Sequence, residues 1–225
     1  MQNYVELVGL GGVGKTTVAK DLVTSEYLNG YRIIHMQSYV FDRNIKFYFL
    51  LPFALVRSLP YIAHLIWFMF RYTRCTYETR RAFIISSRLR MRSEMYKFYN
   101  FDIVISENIL HFLPGLAYRT NKAESAMKEI VRRYYQKCAG LVLFYTDEDT
   151  IKERFLARSR KSKKPKHRIN HYLNTLPIRQ QRLKQLANVI NNETEVPILM
   201  VDGTKPVDEK VDEIVCFVQE QVLVN

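Results

Sequence analysis

Paired cysteines are missing from this sequence: Cys75, Cys138 and Cys216 stand far apart, with no CxxC spacing and no histidine cluster nearby. That argues against a disulfide framework and a Cys/His zinc site, and it fits a reducing cytoplasm. Acidic residues are also short, 22 Asp and Glu against 34 Lys and Arg, which leaves a formal charge of +12. A field of that sign attracts anions such as nucleotides, nucleic acid or acidic lipid. No basic, apolar and small-residue succession of an export signal opens the sequence, and no internal repeat is found. Low hydrophobicity is absent too: 48% hydrophobic and 25% charged residues belong to a folded chain rather than a disordered one. The 225 residues are enough for one α/β domain spanning 1–225.

Charge is nearly absent from Phe47 to Phe70, where Arg57 is the one formally charged residue, accompanied by His64, Pro52 and Pro60. The stretch is long enough to span a bilayer. A mid-segment arginine and two prolines speak against a span. Contact with a membrane surface, buried helices, or the wall of a substrate cleft remain as readings, with helices from about 45 to 99 forming the substrate region.

Short aliphatic runs alternate with helical patterns along the rest of the chain. Strands are expected at 4–8, 32–36, within 101–106, at 141–145 and at 197–201, and helices at 15–28, 77–99, 120–137, 148–160, 178–191 and 207–221. Thr146-Asp147 supplies the N-cap for the helix at 148. Val211, Ile214, Val215 and Val218 mark the buried face of the last helix. This alternation predicts an α/β fold with a five-stranded parallel sheet and helices on both faces.

Glycine concentrates where chemistry requires it. Gly9-Leu10-Gly11-Gly12-Val13-Gly14-Lys15-Thr16 satisfies the Walker A pattern G-x-x-x-x-G-K-[ST] directly after a strand and at the start of a helix. Glycines allow successive backbone N–H groups to turn toward phosphates, and the helix N-terminus adds unsatisfied donors. Lys15 is expected at the β and γ phosphates of ATP and the Thr16 hydroxyl on Mg²⁺, while Thr17 flanks them without a distinct role. A strand-end acid normally helps to hold the metal, and Glu107 is the candidate, because Asp102 precedes its strand and falls at the far end from the phosphates.

Two basic clusters surround this motif. Arg81, Arg88 and Arg92 share a helical face at spacings of seven and four, suited to clamping an anionic acceptor. Lys152 to Arg168 holds nine basic residues and one acid, Glu153, and reads as a lid over transferring phosphates. The tract lacks interleaved aromatics, which disfavours nucleic acid as its partner.

The early P-loop, the basic helix feeding 101–107, the run Arg154-Phe155-Leu156-Ala157-Arg158-Ser159-Arg160 and the closing Val201-Asp202-Gly203-Thr204-Lys205-Pro206-Val207 together resemble P-loop nucleoside and nucleotide kinases, thymidylate kinases in particular. The likeness covers most of the chain. It implies a P-loop NTPase fold, Arg154 or Arg158 on ATP, and Thr204, Lys205 and Pro206 beside the adenine. Such kinases follow the third strand with Asp-Arg or Glu-Arg-Ser, whereas this sequence has Ser106-Glu107-Asn108. They often place an acid after the second strand, where Gln37-Ser38 stands here and Asp42 is the nearest carboxylate.

The resulting expectation is an ATP- and Mg²⁺-dependent phosphotransferase. Lys15, Glu107, Arg88, Arg92 and Arg158 would act on an anionic or hydroxylated metabolite, such as a nucleoside monophosphate. The alternative is a nucleotide-dependent switch that docks a membrane or protein partner through Phe47 to Phe70, with Trp67 and Phe68 as contact residues. Homodimerisation is left open by either reading.

Overall fold

Aliphatic runs too short for helices become five strands in the computed structural model: β1 (Asn3–Val8), β2 (Ile33–His35), β3 (Ile103–Glu107), β4 (Gly140–Tyr145) and β5 (Ile198–Asp202). The structure describes residues 3–24, 28, 30–35, 45–72, 77–99, 101–107, 122–134, 138–161 and 165–223. Within these spans it describes the backbone alone at 45–49, 77–79, 81, 82, 89, 107, 134 and 168. All strand pairs are parallel, in the order β2-β3-β1-β4-β5. The chain is thus α/β with a five-stranded parallel sheet.

Helices cover both faces, as buried parallel strands require. On one side α1 (Lys15–Thr24) and α7 (Val207–Phe217) pack through Val18, Leu22, Val211 and Ile214 onto Val5, Leu7, Val142 and Phe144. A π-helical turn, Val218–Val222, follows α7 and buries Val218 and Val222 in the same cluster. On the other side α2 (Ile45–Tyr72), α4 (Ala123–Tyr134) and α6 (Lys166–Glu193) meet Val8, Leu141 and Leu143. The helix α3 (Tyr77–Tyr96) closes the β2 edge, with Tyr96 beside Ile34 and Val104.

The strand order creates a topological switch point. From β1 the chain travels toward β2 at one edge, whereas from β3 it travels past β1 to β4. The crevice at the carboxyl ends of β1 and β3 is therefore where an open α/β sheet binds its ligand. Register sets Leu7 beside Glu107 at that end and Asn3 beside Ile103 at the other. Asp102 lies at the amino end, where its Oδ2 accepts a 2.7 Å hydrogen bond from the Arg32 amide.

Three elements depart from expectation. The 47–70 stretch lies within one 28-residue helix, α2, which runs through Pro52 and Pro60. Its buried stripe, Ala54, Ser58, Tyr61, Leu65, Phe68 and Tyr72, follows the alternating four-and-three spacing of one helix face. Phe68 is 0% exposed, so it is a core residue and not the surface contact expected of it. The helix expected at 178–191 starts at Lys166, because Tyr172 and buried Leu176 anchor its earlier turns and Pro177 is accommodated inside. The basic tract consequently divides between α6 and α5 (Glu148–Lys161), whose Ile151, Phe155 and Ser159 are buried.

Candidate functional site

The 9–16 loop leaves β1 at the crevice and enters α1. Gly12 and Gly14 have φ of +103° and +91°, backbone conformations that side chains with a Cβ rarely adopt. Val13 between them is buried in the core and pins the loop to the sheet. Lys15 is folded back over its own loop and donates from Nζ to the carbonyls of Gly9 at 2.8 Å and Leu10 at 3.0 Å. Thr16 and Thr17 are exposed in the first turn of α1, which the Thr17 and Val18 amides begin by donating to the Gly14 carbonyl.

A second wall comes from α5 and α6. Phe155 and Tyr172 stack at 3.9 Å between ring centroids, and the Tyr172 hydroxyl donates to the Gly11 carbonyl at 3.1 Å. Burial pushes the Tyr172 phenol above its usual pKa, which keeps this donor protonated. Arg154, the residue before Phe155, lies beside the loop: a Cβ built on Gly12 would stand 3.6 Å from its Cβ. Its Nη1 donates to the Gly203 carbonyl at 2.8 Å.

The turn after β5 lies beside these groups. Gly203 presses so closely on Thr146 that an added Cβ would lie 2.0 Å from the threonine Oγ1. The Thr204 amide and hydroxyl both donate to Asp202 Oδ1 at 2.8 Å, and these bonds hold the Asp202 carboxyl below its ordinary pKa. Lys205 pairs with Glu213, and exposed Pro206 precedes α7.

The sequence did not disclose Lys210. This residue on α7 is only 3% exposed, donates to the same Gly203 carbonyl at 3.3 Å, and its Nζ lies 3.6 Å from the position of a Cβ on Gly14. Two cations thus converge on one carbonyl beside the N-terminus of α1, whose own dipole end is positive. Burial first and the Arg154 charge second hold the Lys210 ammonium below its ordinary 10.5. An anion placed here relieves that crowding.

A lysine with a lowered folded pKa opposes folding while it is charged, so its penalty fades as pH rises through the folded value toward 10.5. Polyphosphate favours the charged form, so binding takes up a proton once pH passes the folded value. The affinity for a polyphosphate should therefore fall as pH rises through the lowered folded value toward 10.5, with proton uptake visible in calorimetry in buffers of different ionisation enthalpy. Lys210→Met should lower affinity by about tenfold and abolish the uptake attributable to this group. Equal pH dependence in both proteins would exclude it from the site.

The other expected residues distribute unevenly. Glu107 ends β3 beside Leu7, two residues ahead of the loop, and its side chain lies outside the described residues. Gln37, Ser38, Asp42 and Asn108 lie outside them as well. Arg158 is exposed one turn beyond Arg154. Arg88 is exposed and Arg92 half-buried on α3, whose neighbouring Ser93 carbonyl accepts from Tyr4 Oη at 3.1 Å near the amino end of β1. The turn of α3 holding Arg92 therefore lies toward the amino ends of the strands, away from the loop, and Arg88 stands about 6 Å nearer the start of the helix. Among the described residues no group of three or more His, Cys, Asp or Glu is arranged for a metal. No protein-family model matches the chain, and no curated protein matches it. The functional reading therefore rests on the residues themselves.

Proposed function

We propose that this chain is a nucleotide-kinase-like phosphotransferase on a P-loop NTPase fold, binding ATP with Mg²⁺ at the 9–16 loop and serving a small anionic or hydroxylated acceptor. The carrying observation is Lys15 on the carbonyls of a loop with two positive-φ glycines, flanked by Arg154 and Lys210 on the Gly203 carbonyl, at the switch point of a parallel sheet. Fixed cations and glycine-permitted close approach suit a polyphosphate and no uncharged ligand. Lys15 and Lys210 would hold phosphate oxygens, Arg154 would bridge the nucleotide to the 203–206 turn, and Thr16 with Glu107 would serve the metal. Bound magnesium would neutralise charge on the phosphates. The protein's share is orientation and electrostatic stabilisation, supplied by groups already held in place.

An ADP-release screen over nucleosides, nucleoside monophosphates and sugar phosphates tests the reaction class. Acceptor-dependent ADP formation supports it, and ATP binding with no acceptor-stimulated turnover favours a nucleotide switch instead. Arg154 and Arg158 of α5 separate by kinetics. Arg154→Ala should raise the KM for ATP about tenfold, because it removes a bridge made in the ground state. Arg158→Ala should leave that KM within about twofold and slow kcat by about 10². Equal losses of kcat and ATP binding on Arg158→Ala would argue against a lid role.

A further inference from the structure

The helix α2 carries two apolar faces, and the fold uses one. Opposite its buried stripe, Phe53, Val56, Leu59, Ile66, Trp67 and Phe70 are all exposed, Trp67 at 45% and Phe70 at 86%. Leu50–Tyr72 is long and apolar enough to cross a membrane. Its inner stripe is nevertheless packed against α4 and the sheet, so the helix can lie along an apolar phase without crossing it. A contiguous outer face of this kind marks an interaction surface.

Charge identifies the occupant. No Asp or Glu occurs in Ile45–Tyr72, and the exposed arginines of the helix lie beside its aromatics, Arg57 4.6 Å from the Phe53 ring centre and Arg71 4.9 Å from that of Trp67. On the same shoulder a cleft of about 560 Å³ is lined by His64, Ser125, Lys128, Glu129, Arg132 and Arg133. The His64 ring, 5.6 Å from the Trp67 ring, joins the cleft to the apolar face. Glu129 is engaged by His64 at 2.9 Å and by the Tyr72 hydroxyl at 2.8 Å. Lys128 and Arg132 pair with Glu124 and Glu193 at 3.1 and 2.6 Å, exposed contacts that exchange readily for phosphate. A second copy would bring no acid from its own α2 to meet Arg57 and Arg71, whereas acidic lipid supplies one at every headgroup.

We propose that the outer face of α2 seats on an anionic phospholipid surface, with Trp67 and Phe70 in the acyl boundary and Arg71, Arg132 and Arg133 at the headgroup phosphates. This docking is independent of the nucleotide reading. Aromatic and arginine side chains suit that boundary, since each presents an apolar body with a polar or charged tip.

Trp67 is the sole tryptophan of the chain, so its emission reports on this face without any substitution. Full-length protein mixed with vesicles of phosphatidylcholine and phosphatidylserine in about 3:1 ratio should show a blue shift and shielding from acrylamide, weakened by salt. Phe70→Ser with Val56→Asp should reduce the partition coefficient at least about tenfold, and Arg133→Glu should remove most of the preference for phosphatidylserine over pure phosphatidylcholine. An unchanged Trp67 spectrum overturns the proposal. So does equal binding to both vesicle types, or a shift that follows protein concentration without lipid, which would identify a second copy as the occupant. Because the spectrum is read on unsubstituted protein, a variant that fails to fold leaves the test standing.

Discussion

Replacing Lys15 by Ala should leave a folded protein whose ATP turnover falls by at least about 10²–10³. Lys15 Nζ lies against the Gly9 and Leu10 carbonyls in the structure, so the ammonium is already held at the loop where phosphate oxygens are expected. Its removal takes away one charge-assisted donor, worth about 1.5–3 kcal/mol in binding, and the stabilisation of charge that shifts during transfer. The two carbonyls lose a donor as well, which costs the fold about 1–3 kcal/mol. Circular dichroism should be unchanged and the midpoint of thermal unfolding lowered by a few degrees, while initial rates fall to background. Turnover at the wild-type rate would remove Lys15 from the mechanism.

Gly14→Ala should damage binding by a different route. At φ +91° the backbone at Gly14 is costly for any residue with a Cβ, about 1–3 kcal/mol, although the nearest atom to the new methyl, Lys210 Nζ at 3.6 Å, is only in ordinary contact. The substitution therefore acts on backbone conformation, and the loop is expected to relax away from the shape that receives phosphate. Gly30 provides the control, since its φ is +98° and nothing stands within 4 Å of an added Cβ. Gly14→Ala and Gly30→Ala should cost similar stability in urea titration. Gly14→Ala alone should weaken ATP binding, by about 10- to 100-fold. Equal nucleotide affinity in the two variants would mean that the loop's shape is irrelevant to the ligand.

Strand positions were legible because buried parallel strands need short aliphatic runs, and Ile103 to Ile105 or Leu141 to Phe144 fit little else. The glycine loop was legible as the turn between β1 and α1, because its glycines fall where a positive φ is needed. The start of α6 was obscured by a basic tract and by Pro177, which suggest a break, while Tyr172 and Leu176 hold the helix through packing that sequence order does not display. Tyr172 meets Gly11 across 161 residues, and Lys210 reaches Gly203 from the next helix, so neither announces itself as a neighbour of the glycine loop. Lys210 follows Asp208 and Glu209 and reads as a surface charge until its burial is known.

The apolar segment shows the same limit. Composition marked 47–70 as unusual, but only the helical phase of α2 separates Phe68, which faces the core, from Trp67 and Phe70, which do not. The arginines of α3 show it again. Their spacing suggested a clamp, but only the fold shows that the turn holding Arg92 lies near Tyr4, where β1 begins. Arg154 has the more direct claim on the proposed nucleotide, since it bonds the Gly203 carbonyl and its Cβ lies near Gly12.

Calorimetric titration of the full-length protein with ATP in magnesium buffer tests the central claim most directly. Saturable heat at one site per chain, lost in Lys15→Ala, is the predicted result. Absence of heat from both ATP and GTP on folded protein would contradict it.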